Sequence, residues 1–287
     1  MDYQKYRNKL KEIMDMGPDG TVPDSVVEEF HYYMRDNWGS ESIKLYRYSP
    51  ADYYNIRNFE TGKLRLTNNG VLNDIYEGIP TDDVEITPIM VNSLSDLAHL
   101  KCFSEEHDNT LMWSHYADEH RGFCVEYDLS LLDHNNPILD HIFPVVYSSK
   151  RRIKTNISAI AKELHQLKQD IEENNIHDDD GYLSNTTPLF LSKGTAWAYE
   201  KEWRIVYTKA QIYEINEKEL YHSIISFDCA SRIYLGYRLN SVVKENLLEI
   251  VDRINSRRIN SHLPQIRIYQ AYLQQDSYDL NFRLISE

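Results

Sequence analysis

The feature that most constrains this fold is a series of short apolar or alternating runs that starts at Leu45. In order they are LYRY (45–48), KLRLT (63–67), HLKCFS (99–104), GFCVEYD (122–128), IFPVVYS (142–148), EWRIVYT (202–208), SIISFDC (223–229), RIYLGY (232–237) and IRIYQAYL (266–273). Each has the length and the β-branched or aromatic content of a strand. So many strands, mixed with a few helices and lacking strand–helix–strand alternation, predict an α+β fold with a mixed or antiparallel sheet core.

Helices are expected around this core. Residues 1–42 read as a helical preface packed on it. One apolar face carries Tyr6, Leu10, Ile13 and Met14, and the next carries Val26, Val27, Phe30, Tyr33 and Met34. The turn GPDGTVPD separates them, Asp24 or Ser25 caps the second helix, and Gly39 closes it. Residues 43–287 then form a single core domain with a helical insertion at about 150–178. In that insertion Ile153, Ile157, Ile160, Leu164, Leu167 and Ile171 step by four and three residues, a narrow seam on a polar helix. The seam fits docking on the sheet or pairing with a second subunit, so a homodimer is one expectation. ENNIHDDDGYLSN (173–185) reads as an acidic connection before Pro188. A C-terminal helix from Ser241 to about Arg258 presents Val242, Val243, Leu247, Leu248, Ile250, Val251 and Ile254.

At 287 residues the chain can bury a full core. Its formal charge of −14 disfavours nonspecific nucleic-acid binding, because such a field repels phosphate. The cysteines are Cys102, Cys124 and Cys229, without CxxC or Cys/His metal spacing. They predict reduced thiols and no structural zinc. The opening MDYQKYRNKLKEIMDMG has no uninterrupted apolar run, so no signal peptide or membrane span is expected and the protein is assigned to the cytoplasm. The 22 tyrosines suit half-buried strand faces and the walls of a polar-ligand cleft.

Three segments could carry chemistry. In KCFSEEHDNTLMWSHYADEHRGFCVEYD (101–128), Ser104 ends a strand, and His115, Tyr116, His120 and Arg121 gather near the next one. The structural alternative is a packed corner with Trp113 in the core. In LSKGTAWAYEKEWRIVYT, Glu200 and Glu202 alternate into a strand, so both carboxylates are expected on one side. Such a pair can bind ribose hydroxyls, steady an oxocarbenium-like centre or hold a metal, although surface strands also carry E-x-E by chance. In LYRYS, Arg47 lies between Tyr46 and Tyr48, suited to phosphate or to a buried salt bridge. A related stretch offers Asn73, Asp74 and Glu77 in a turn, which can also be purely architectural.

Taken in order, these segments resemble domain-of-unknown-function family 2971, an uncharacterised bacterial family. The likeness rests on Leu45–Tyr48, Asn73–Glu77, Cys102–Ser104, Met112–Ala117, Gly122–Cys124 and Trp197–Arg204. It departs at Ile75 and Tyr76, where the family turn usually has Pro and Phe. More distantly, the order arginine, serine, E-x-E is similar to ADP-ribosyltransferases. That resemblance implies NAD as substrate and no metal. Arg47 would hold a phosphate, Ser104 would support the nicotinamide side, and Glu202 would steady the ribose cation. Glu200 would favour the acceptor, and Tyr46, Tyr48 and Tyr116 would stack on a base. His115 and Arg121 complete the expected nucleotide-binding set.

Three functions follow as expectations. The first is an NAD-consuming ADP-ribosyltransferase or glycohydrolase acting on a macromolecular acceptor, of a phage-defence or toxin-type kind. The second is a non-catalytic ligand-sensing or protein-interaction module. The third is a hydrolase or nuclease using His115 with Glu200 and Glu202, against which the absence of HxH, HExxH or DxD ligand runs weighs.

Overall fold

The computed structural model describes residues 2–15, 25–37, 42–68, 70, 72–79, 97–151, 157–173, 184–209, 211 and 224–286. It is mixed α and β, as expected. Contacts divide the chain into two compact units, neither contiguous in sequence. Unit 1 comprises Met1–Trp38, Arg65–Cys102 and Asn135–Ile225; unit 2 comprises Gly39–Leu64, Phe103–His134 and Ser226–Glu287. Among the described residues, no helix is long and apolar enough to cross a membrane.

In unit 1 the helices Tyr3–Met14 and Val26–Asn37 form where the periodicity places them. They bury Tyr6, Leu10, Ile13 and Met14 on one, and Val26, Phe30 and Met34 on the other. Asp2 caps the first, its carboxylate accepting the Gln4 N–H at 3.1 Å. The turn at 17–24, Asp24 and Gly39 lie outside the described residues. Arg7, on the buried face of the first helix, donates from Nε to the Val145 carbonyl at 2.8 Å. The run expected at 142–148 is two strands rather than one. Ile142–Pro144 pairs antiparallel with Glu202–Thr208, while Val146–Ser148 pairs parallel with Ser192–Gly194. Pro144 has no N–H to continue the first ladder, so the chain changes partner there. Accordingly, the Val145 N–H donates to the Glu202 carbonyl and the Val146 N–H to the Leu191 carbonyl. The long helix spans Ile157–Glu173 and buries Ile160 and Leu167 within the chain. Ile153 and the side chains of Ile157 and Ile171 lie outside the described residues.

A titration follows from this unit. His141 stacks on Tyr207 with ring centroids 3.9 Å apart. Burial holds its imidazole down at about 4, against an upward pull from Asp140. Below pH 6.5 the unfolded chain therefore binds a proton that the folded chain does not, so stability is full above 6.5 and falls as pH drops toward 4. His31, beside Asp140 and also lowered by burial, acts with the same sign. Urea unfolding at pH 7.5 and pH 5 is expected to differ by about 2 kcal/mol from His141, and His141→Gln should remove at least half of the difference.

In unit 2, five strands lie in the order Leu280–Ser286, Arg267–Leu273, Ala230–Leu235, Phe123–Asp128 and Lys44–Ser49. All neighbours are antiparallel except Ala230–Leu235 and Arg267–Leu273, which run parallel in the register Ile233↔Ile268. The helix Ser241–Asn260 connects that pair, which makes a strand–helix–strand unit and corrects the expectation that none occurs. Leu247, Ile250, Val251 and Ile254 are its buried face. Val242, expected on that face, is 71% exposed in the first turn, two residues past the Asn240 cap. Arg258 closes the helix end, donating to the carbonyls of Ala230 and Pro264 and to Asp228.

The glycines at 122 and 236 permit backbone contact. A Cβ on Gly122 would stand 2.1 Å from the Ser49 carbonyl oxygen, and one on Gly236 2.3 Å from that of His120. Elements beyond the sequence expectations include the helix Tyr53–Thr61, started by Asp52 and ended by Gly62 in the left-handed region, the short strand Ser192–Gly194 and the final strand Leu280–Ser286.

Candidate functional site

The E-x-E carboxylates belong to unit 1, but they are not aligned by strand alternation. Glu200 ends the 3-10 turn Thr195–Glu200, Lys201 adopts φ +43°, and only Glu202 begins the strand. What unites them is Lys193, from the strand Ser192–Gly194. Its Nζ lies 2.6 Å from Glu200, 3.1 Å from Glu202 and 3.1 Å from Glu77. Arg204 grips Glu202 with a fork, Nε to Oε1 at 2.8 Å and Nη2 to Oε2 at 2.9 Å. The same guanidinium donates to Glu77 and to the Phe190 carbonyl. The Glu202 N–H donates to the Tyr147 hydroxyl at 2.8 Å.

Electrostatics follow from this packing. Burial would raise the Glu202 carboxyl, yet Arg204 and then Lys193 outweigh it and hold it down at about 2. Burial would lower the Lys193 ammonium, yet Glu202 and Glu77 outweigh it and raise it. Burial and the neighbouring Glu202 push the Cys102 thiol up. Glu202 is thus ionised, 3% exposed and shared between two cations, a poor proton acceptor as it stands.

Lys193 also lines a cavity of about 360 Å³ in the same unit. One wall is the turn with Asp74, Tyr76 and Ile79, and another is the segment Ser148, Ser149, Lys150 and Arg151. The second wall leaves the C-terminal end of the Val146–Ser148 strand, beside its parallel partner Ser192–Gly194. The Arg151 guanidinium lies 5.3 Å from the Tyr76 ring centroid and donates to the Ile79 carbonyl at 2.6 Å. The buried Asp74 carboxylate accepts the Tyr76 N–H at 3.0 Å. Asp74 thus makes the local hydrogen bond that a turn needs, and the same turn shapes a cavity.

Lys193, Tyr76, Lys150 and Arg151 were not among the site residues expected from the sequence. The available signals were an adjacent basic pair following a strand in an acidic chain, and the departure from Phe at Tyr76.

The other expected site residues lie in unit 2. Arg47 stands within Lys44–Ser49 opposite Val125. Tyr46 is brought opposite both Ser104 and Glu126. Its hydroxyl donates to the fully buried Glu126, which also accepts from Tyr234 and Ser231. Ser104 is 1% exposed, and its Oγ accepts the Glu106 N–H at 3.3 Å. Tyr48 is buried edge-on against Trp113 and donates to the Glu106 carbonyl.

Trp113 is fully buried, as the packed-corner alternative has it, with Nε1 donating to the His107 carbonyl. His115 is exposed and Tyr116 partly buried, their rings 6.1 Å apart. Arg121 is exposed and pairs with Glu119 at 2.9 Å. Before it, Asp118, Glu119 and His120 all adopt positive φ, and the His120 ring stacks on Trp113.

Residues 112–205 match the model of the family described as "Protein of unknown function (DUF2971)". The expected likeness to that family therefore holds over this span, which contains Met112–Ala117, Gly122–Cys124 and Trp197–Arg204 together with Lys150, Arg151 and Lys193. No curated protein and no solved structure matches the chain.

Proposed function

We propose that this protein binds an NAD-type nucleotide in the unit 1 cavity and acts as a ligand-sensing module in the cytoplasm. The observation that carries the reading is the cavity wall. Tyr76 offers a ring face for a base, Lys150 and Arg151 offer cations for phosphate, and Asp74 offers a carboxylate for a ribose hydroxyl. In a chain of net charge −14, a local cationic rim is what attracts a small anion while long nucleic acids are repelled. Cys102, Cys124 and Cys229 are in no disulfide, which accords with a reducing compartment.

Turnover is the second reading, favoured by Lys193, which lines the cavity and also holds Glu200 and Glu202. The protein would then be an NAD-consuming ADP-ribosyltransferase or glycohydrolase, a phage-defence or toxin-type effector acting on a macromolecular acceptor. That reading requires Glu202 to leave Arg204 and Lys193 and face the ribose.

Calorimetric titration with NAD, with nicotinamide release followed in parallel, separates the two. Sensing predicts binding, no release, and at least about tenfold weaker binding in Arg151→Ala, since a hydrogen bond to a charged group contributes about 1.5–3 kcal/mol. Release that falls a hundredfold or more in Glu202→Gln would establish turnover instead. If the wild-type protein does not bind NAD, both readings fail.

A further inference from the structure

We infer that the cavity accepts one ribonucleoside monophosphate unit, so that only one half of a dinucleotide is enclosed and the other half projects from the mouth. This rests on the nucleotide-binding reading and specifies the ligand unit recognised. The first argument is size. Ligand pockets run from roughly 300 to 1,000 Å³ and enclose most of a ligand's surface. At about 360 Å³ this one sits at the small end, with room for a base, a ribose and a phosphate but not for two nucleotides joined through a pyrophosphate.

The second argument is the inventory of recognition groups. Among the described residues, the lining holds one aromatic face, Tyr76, and one carboxylate, Asp74. It holds one exposed basic pair, Lys150 and Arg151, beside the hydroxyls of Ser148 and Ser149. The remaining cation, Lys193, is 7% exposed, and its ammonium is committed to Glu77, Glu200 and Glu202. Among the described lining residues, a second phosphate would thus find no ammonium or guanidinium beyond these three.

The third argument is the bond from Arg151 Nη2 to the Ile79 carbonyl, which ties the two walls together. Widening the cavity for a second base would break this charge-assisted bond and separate the guanidinium from the Tyr76 ring.

The test is titration of the full chain with NAD, AMP, nicotinamide mononucleotide and adenosine. One of the two mononucleotides is expected to bind within tenfold of NAD. Adenosine, lacking the phosphate, should bind at least tenfold more weakly than AMP if the adenosine half is the one enclosed. Arg151→Ala should then erase that difference. If nicotinamide mononucleotide is the better ligand, nicotinamide riboside replaces adenosine in the same comparison.

If NAD binds and both mononucleotides are more than tenfold weaker, the single-unit inference is overturned and NAD binding stands. If a mononucleotide binds and NAD does not, the single-unit inference stands and the NAD reading falls. If none of them binds, both are overturned.

Discussion

Arg204→Met is expected to lower the unfolding free energy by about 3–5 kcal/mol, read as a shift in urea midpoint at constant slope. The guanidinium is fully buried and makes paired bonds to Glu202, with others to Glu77 and the Phe190 carbonyl. Removing it leaves Glu77, Glu200 and Glu202 sharing the single ammonium of Lys193. Whether such a set of charges stabilises the fold at all depends on its desolvation, and replacing a whole buried pair by apolar groups is often neutral. The large loss arises because one partner is taken away and uncompensated carboxylates stay buried. Two companions check that logic. Arg204→Lys keeps the charge without the fork and should fall between wild type and Arg204→Met. Adding Glu202→Leu to Arg204→Met should restore at least about 1 kcal/mol, since it removes a stranded carboxylate. A loss below about 1 kcal/mol for Arg204→Met would show that water reaches the network.

A similar loss, about 3–5 kcal/mol, is expected for Trp113→Ala. The indole is fully enclosed, with Tyr48 edge-on at 5.4 Å, Phe282 at 5.9 Å and the His120 ring stacked at 6.1 Å. Alanine would leave a cavity and strand the His107 carbonyl that Nε1 now satisfies. By contrast His115→Ala, two residues along the same segment, changes an exposed side chain and should stay within about 0.5 kcal/mol. The same urea experiment on both variants separates the core member of this segment from its surface member. Equal effects would contradict the burial pattern.

Much of the fold was legible because alternation and helical periodicity are local properties. LYRY, GFCVEYD and EWRIVYT became strands where they stand. The strand Leu280–Ser286 was missed because it follows a polar stretch and buries only Leu280. The helix Tyr53–Thr61 buries only Phe59, so it has no periodicity to read, although Asp52 and Gly62 marked its ends. The parallel pairing of Ala230–Leu235 with Arg267–Leu273 is a tertiary choice that neither strand's pattern encodes. The site divides the same way. Glu200 and Glu202 were visible as a pair, but their geometry depends on a left-handed Lys201 and on a lysine from another strand. Asp74 was read as turn chemistry, which is correct locally and silent about the cavity behind it.

The buried network also bears on the order of events in folding. Its Arg204–Glu77 bond joins residues 127 positions apart, and Lys193 must arrive from a third segment. Contacts so distant in sequence reward the chain only after a large loop has closed, so this part of unit 1 is expected to assemble late. Interactions absent from the transition state govern escape from the native state rather than entry to it. Arg204→Met should therefore speed unfolding and leave the refolding rate nearly unchanged, which makes the network a determinant of how long the native protein lasts.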